Sequence, residues 1–421
     1  MATVLRVPSV ALSNYDRACL DGGEGHSVAQ AMNLLVSIAN AMQATRLIDV
    51  EHCHLVGSYY AGNAGRKLLK GLLDSGARVR VPTTLNASSA CLAADSPSTE
   101  ANRAAATEIV ELYKAMGCDA QLTCAPYHLP YRPATGARIA WAESNAVVFA
   151  NSILGARTNK TVQYLDLCAA LTGRIPEYGL YCDEQRAPTC VVDCSALPDQ
   201  AWSLTLTGEL LGLWLGKSCD IHVPLLVGCR QAPDEDLLRA LGSAAASAGA
   251  LSLFHLSGVT PEAHRYSEIG LPRFNVTGET LRQVVMPYAG EAGQPVSAVC
   301  LGAPHYSLAQ LRTLAYAMLD LDIQAKIPLY VTTSRHNYRQ LQAELLTGEL
   351  VSRGAQLIVD TCSYYRSAIP NPDGPVLTDS AKWAYYGCGN HGVQTLLGEL
   401  RDCLATAASG RLIRCGETPW V

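Results

Sequence analysis

The sequence predicts layered α/β/α units, on three observations: apolar residues recur at helical spacing, short β-branched runs lie between those stretches, and the composition suits a large buried interior. Of 421 residues, 49% are hydrophobic and 16% are charged. That balance excludes a disordered chain, and the length exceeds what one ordinary core supports, so two or three α/β units are expected. Helical spacing marks residues 28–48, 101–116, 236–248, 308–321 and 392–407. The β-branched runs at 78–81, 189–192, 296–301, 327–332 and 357–360 read as buried parallel strands. Residues 261–294, rich in Gly, Pro and charge, separate two such regions, which sets the expected division at 1–265 and 266–421.

A net charge of -5 without a basic block gives no electrostatic footprint for nucleic acid. Apolar stretches such as 146–154 are too short to cross a bilayer, and residues 1–16 lack the apolar run of a signal peptide. A cytoplasmic protein is therefore expected. The sixteen cysteines are scattered and form no CxxC pair, so most should serve as small buried apolar side chains in a reducing compartment.

In an open α/β sheet ligands bind beyond the carboxyl ends of strands, which directs attention to polar clusters that follow apolar runs. VPTTLNASS crowds Thr83, Thr84 and Asn86 after a strand; a capped turn explains it equally well. TCAPYHLPYRP sets Cys124 in a proline-stiffened loop suited to presenting a thiolate to a metal. AWAESNAVVFANSILGARTN brackets an apolar segment with Glu143, Ser144 and Asn145 before it and Arg157, Thr158 and Asn159 after it. Such an arginine can hold a carboxylate or phosphate, the competing reading being a helix with its caps. Glu184 and Arg186 precede a strand, where a solvated charged loop is the rival reading. Cys362 follows a strand in DTCSYY, and Ser380 and Lys382 precede a Gly-rich stretch. A serine two residues from a lysine can act as a base, although an ordinary turn is the commoner meaning of SxK. His255 and His305 occupy strand ends and suit polar work on a substrate, whereas His52 and His54, flanking Cys53, read as surface or satisfied core histidines.

Taken in order, VPTTLN, TCAPY, the ARTN-ending run, GRIPEYGL with DEQR, SLFHLSGVTPEA, PHYS, DTC and TDSAKWAYY span nearly the whole chain and resemble the aconitase X family. The resemblance implies α/β/α units like the aconitase catalytic domains without the swivelling domain, and hence a separate small swivelling-domain subunit. It further implies an iron centre, either an iron-sulfur cluster or a mononuclear iron, held by Cys124 and Cys362. The implied reaction is dehydration of a small hydroxy acid, with cis-3-hydroxy-L-proline ahead of mevalonate 5-phosphate. Ser380 would be the base, assisted by Lys382, and Arg157, Asn159 and Arg186 would hold the anionic end of the substrate. Archaeal-type relatives carry Gly-Cys-Pro-His where this chain reads Gly302-Ala303-Pro304-His305, losing one ligand and suggesting a smaller centre completed by Cys300 or Cys388. Tyr181, Cys182 and Asp379 also depart from the family pattern, which keeps open another hydroxy acid, or a metal-free scaffold.

Overall fold

Three parallel sheets, each flanked by helices, carry the computed structural model, which describes residues 10–93, 97–218 and 221–416. The signal-peptide reading rested partly on residues 1–9, which lie outside the described residues. No helix among the described residues is long and apolar enough to cross a membrane.

The first unit runs α1 (Asn14–Leu20), α2 (His26–Ala41), β1 (Leu47–Asp49), β2 (Cys53–Leu55), α3 (Asn63–Asp74), β3 (Thr83–Leu85), α4 (Glu100–Ala115), β4 (Ala140–Trp141), α5 (Ser144–Ser152), α6 (Leu165–Thr172) and β5 (Arg174–Pro176). Strands β3, β2 and β4 form a parallel sheet in that order, and β1 pairs with β5 antiparallel. Two expectations shift here. Residues 78–81 are not a strand; pairing begins two residues beyond them, so Thr83 and Thr84 belong to β3 instead of the loop after it. The predicted 28–48 helix stops at Ala41, and the apolar Leu47 and Ile48 are strand residues.

The second unit contains β6 (Cys190–Asp193), α7 (Thr205–Lys217), β7 (Pro224–Val227), α8 (Glu235–Ala248), β8 (His255–Leu256), β9 (Arg273–Asn275) and α9 (Gly278–Val285). Its sheet order is β8-β7-β6-β9, all parallel. A division at 265/266 would cut this sheet between β8 and β9, so the Gly- and Pro-rich stretch belongs to the unit instead of separating two. Helices α7 and α8 cross closely because glycines recur every fourth residue: a Cβ at Gly208, Gly212 or Gly216 would stand within 2.6 Å of the carbonyl oxygens of Leu237, Leu241 and Ala245.

The third unit comprises β10 (Ala298–Tyr306), α10 (Leu308–Asp320), β11 (Leu329–Thr333), α11 (Arg335–Ala343), α12 (Leu346–Ser352), β12 (Ala355–Ile358), β13 (Val376–Thr378), α13 (Ala381–His391), β14 (Thr395–Leu397) and α14 (Leu400–Ser409). The predicted 392–407 helix is thus a strand, Gly398 and a shorter helix. Order β12-β11-β10-β13-β14 makes β10 the central strand. The chain winds outward on one side through β11 and β12, then resumes on the other side through β13. That reversal creates a crevice at the carboxyl end of β10, where ligands of such sheets bind. Buried Ala87 and Cys124 of the first unit pack with Ala298, Cys362 and Trp383 of the third, so the two sheets meet there.

Candidate functional site

Cys124 lies in the loop after α4, and the other side chains at this junction leave the carboxyl ends of strands. Asn86 follows β3, Glu143 follows β4, His305 lies near the end of β10, Thr361 and Cys362 follow β12, and Ser380 and Lys382 follow β13. Gly302, with φ +89°, lets β10 bend here, since a Cβ would run into the carbonyl oxygen of Thr332. Asp360, also at positive φ (+70°), is clamped by two 2.5 Å bonds from Arg335, which fixes the turn carrying Cys362.

Cys124, Cys362 and His305 are buried, with one donor atom from each lying within 4.8 Å of the others. The two sulfurs are 3.6 Å apart, and the His305 amide donates to Cys124 Sγ at 3.3 Å. Two thiolates on one tetrahedral metal at about 2.3 Å would stand about 3.8 Å apart, so the spacing fits shared coordination. His305 Nε2 is 2.8 Å from the carbonyl oxygen of Thr361, which only accepts; the proton is therefore on Nε2 and the lone pair on Nδ1. A carbonyl orienting the far nitrogen is the usual support of a metal-bound imidazole. Thr123 Oγ1 sits 3.1 Å from Nδ1. The donor set fits a metal. Neither Cys300 nor Cys388 joins it: the Cys300 thiol bonds Ser363 from inside the core, and Cys388 is exposed on α13. Ala303 supplies no donor, and His305 occupies the third place.

Beside the thiols lies a buried ion pair. Lys382 Nζ is 2.5 Å from Glu143 Oε1, which also accepts from Asn145 at 2.9 Å, while Oε2 accepts from Asn86 at 2.7 Å. Burial alone would raise the Glu143 carboxyl, but the ammonium and both amides hold it down at about 2. Lys382 is held well above its ordinary value: burial opposes its charge, and Glu143, Cys124 and Cys362 outweigh burial. Burial likewise raises the thiols, while the Cys362 S–H, His305 and the Lys382 ammonium pull Cys124 below its usual value, and burial with the Cys124 contact raises Cys362.

Ser380 caps α13, accepting from the Trp383 amide at 3.1 Å and donating to the Ala303 carbonyl. Lys382 bonds Glu143, and no bond joins it to Ser380. Thr84 Oγ1 is 2.8 Å from His54 Nδ1, and Thr83 bonds its own loop at Val81. Ser144 lies 3.4 Å from Glu143, and Asn145 also binds Tyr127 and the Cys124 carbonyl.

The expected anion-holding residues form a different network. Arg186, fully buried, spends its donors on Glu262, Asn151 and the Leu180 carbonyl. Arg157 binds Asp183 and the Tyr181 carbonyl, Asn159 bridges Tyr178 and Leu180, and Thr158 binds Trp141. His255 rests on the Arg186 carbonyl, and Glu184 is exposed. These residues join the first and second units, and Arg186, with all five N–H groups engaged, leaves no free donor for a substrate anion.

Glu143 was set out in the sequence beside Ser144 and Asn145 but was given no role at the site. Glu143 stands immediately before Ser144 and Asn145 and right after a strand, which was the available signal. His52 fits the core reading, accepting from Trp141 Nε1 at 3.0 Å and stacking on Tyr131. His54 is held by Thr84 at Nδ1 and by the Asn86 side chain and the Thr123 backbone, which fits the core reading too, while Thr361 Oγ1 is buried without a hydrogen-bond partner.

Parallel sheets converging on buried thiols and an ion-paired lysine define an aconitase-type α/β hydro-lyase. The chain belongs to the aconitase X family: sequence models of the aconitase X first, second and third domains match residues 9–184, 188–286 and 296–409. It is 37% identical to the cis-3-hydroxy-L-proline dehydratase of Pseudomonas aeruginosa, over 95% of this chain and 70% of that protein. The enzyme of the same name from Hypocrea jecorina is 36% identical over 96% of this chain and 69% of its own length. The phosphomevalonate dehydratase large subunit of Thermococcus kodakarensis is 32% identical over 89% of this chain and 94% of that one. The crystal structure of Thermococcus kodakaraensis aconitase X in its holo-form superposes with a TM-score of 0.85 at 30% identity, covering 94% of this chain and all of that one.

Proposed function

We propose that this chain dehydrates cis-3-hydroxy-L-proline in the cytoplasm, with iron held by Cys124, Cys362 and His305. The observation that carries the reading is the buried two-sulfur, one-nitrogen donor set at the switch point of the third sheet, in a chain 37% and 36% identical to two enzymes of that name. Iron bound there would act as a Lewis acid on the departing hydroxyl, which is otherwise a poor leaving group. To act as the base Ser380 would first release to water the hydroxyl proton that it directs at the Ala303 carbonyl, and the oxyanion would then take the proton from the neighbouring carbon and return to the hydroxyl. The oxyanion would accept from the Trp383 amide at the amino end of α13, where the helix dipole favours negative charge. Lys382 keeps a positive charge beside the thiols and thereby favours their ionised, metal-binding form. The paired Glu143, fixed by Asn86 and Asn145, holds that ammonium in place. Free thiols throughout the described residues accord with a reducing compartment. Relatives named as large subunits support a separate small swivelling-domain subunit. A metal-free scaffold has no need of three converging donors beside a buried lysine. The test is turnover of cis-3-hydroxy-L-proline by anaerobically purified chain, with and without a small subunit. Stoichiometric iron with loss of water from this substrate is the expected result. Turnover of mevalonate 5-phosphate alone would overturn the substrate, and full turnover after metal removal would overturn the iron.

A further inference from the structure

Three donors from three separate segments meet at the thiol cluster: Cys124 from the loop after α4, His305 from β10 and Cys362 from the loop after β12. No single element holds them, so their spacing depends on bonds between loops. Asp360, fully buried, is where those bonds gather. Its carbonyl accepts the Ser88 amide at 2.6 Å, and its Oδ2 accepts the Leu92 amide at 3.2 Å. A short way before Ser88, the Leu85 carbonyl accepts the Thr123 amide at 3.2 Å, next to Cys124. Residues 85–88 are thus a strut between the two thiols, with the Cys124 loop tied to one end and the Cys362 loop to the other. Just past Asp360, the Thr361 carbonyl accepts from His305 Nε2 at 2.8 Å and orients the third donor.

One side chain holds this node from outside the cluster. Arg335, the first residue of α11, gives Nε and Nη2 to the two Asp360 carboxylate oxygens at 2.5 Å each, and makes no hydrogen bond to any of the three donors. Its side chain is 38% exposed. The helix behind it is anchored: Ser334 caps it, and Asn337 donates at 3.0 Å to the carbonyl of Tyr306, the residue after His305. A bidentate guanidinium–carboxylate pair fixes orientation as well as distance. Asp360 needs that hold, because its left-handed backbone is one that aspartate tolerates but does not favour.

We infer that Arg335 is a positioning residue for the metal site, setting through Asp360 the separation of the two thiols and the aim of His305. The inference rests on the metal-site part of the dehydratase reading. It puts control of metal retention on a partly exposed arginine that is not itself a ligand.

The probe is cobalt(II), titrated anaerobically into the full metal-free chain and read by its thiolate-to-cobalt absorption, so that the outcome does not depend on iron being the resident metal. Arg335→Gln alone would strand a buried carboxylate, so Asp360→Asn is combined with it: asparagine tolerates the left-handed turn and can still accept from Leu92. Arg335→Lys keeps the charge and loses the fork. Wild type should show the absorption, and Cys124→Ser should lose it. The Arg335→Gln, Asp360→Asn double variant should bind cobalt(II) at least tenfold more weakly with a changed spectrum, and Arg335→Lys should fall between it and wild type. Wild-type affinity and spectrum in either variant overturns the positioning role. Absence of the absorption from wild type overturns it together with the metal reading. Weakened binding in a chain that leaves cis-3-hydroxy-L-proline unchanged would keep the positioning role and refute the reaction, whereas unchanged binding in variants of an active dehydratase would refute the positioning role alone.

Discussion

Replacing Lys382 with methionine keeps most of the side-chain volume and removes the charge opposite Glu143. The drop of the Glu143 carboxyl from 4.5 to about 2 corresponds to about 3 kcal/mol favouring its ionised form, most of it drawn from the lysine 2.5 Å away. Breaking a buried pair on one side costs about 3–5 kcal/mol in general. Asn86 and Asn145 still donate to Glu143, which puts the expected loss near the lower end, about 3 kcal/mol at pH 7. Adding Glu143→Gln should recover most of it, because a neutral amide leaves no uncompensated buried charge. The sign with pH is also fixed. Without the lysine, burial lifts the Glu143 carboxyl above its unfolded value, so the folded variant takes up a proton that the unfolded chain releases. The deficit against wild type should shrink as pH falls from 7 to 5. Urea denaturation of the single and double variants at both pH values measures this. A single-variant loss below about 1 kcal/mol, or a double variant no more stable than the single, would refute the reasoning.

Cys124→Ser and Cys362→Ser should each abolish stoichiometric iron, while Cys388→Ser leaves it unchanged; metal analysis on anaerobic protein decides. Arg186→Lys should cost about 3 kcal/mol in denaturant, because one ammonium cannot replace a guanidinium bound to Glu262, Asn151 and Leu180, and the protein that stays folded should keep its KM. Burial lowers His52 to about 4 and His54 to about 3, so both stay neutral when folded and gain protons when unfolded below about pH 6.5. Their stabilising contribution is complete above that pH and should fall by about 1.4 kcal/mol per pH unit for each histidine on acidification; His54→Gln should flatten the slope of Tm against pH between 6 and 4.5.

The helices at 101–116, 236–248 and 308–321 were legible because one buried face repeats at helical period. Helices α5, α6 and α7 were not, since they are apolar almost all round and periodicity has nothing to contrast. The thiols announced themselves by setting, each in a polar loop after an apolar run. His305 was visible as polar but not as a third donor, because that depends on β10 and β12 ending side by side. Arg186 shows the opposite limit: a sequence shows that a guanidinium can bind an anion, not that Glu262, Asn151 and the Leu180 carbonyl already take its donors.

The glycine crossing of α7 and α8 has a mechanical consequence. At the glycines the α7 backbone rests against the carbonyls of α8 with only Leu237, Ala244 and Ala248 packed alongside, a close contact that resists movement of one helix past the other. Glu209 rides on α7 while Asp236 and Arg239 ride on α8, so the second unit's side of the cleft that it forms with Asp379 and Glu399 of the third belongs to one stiff plate.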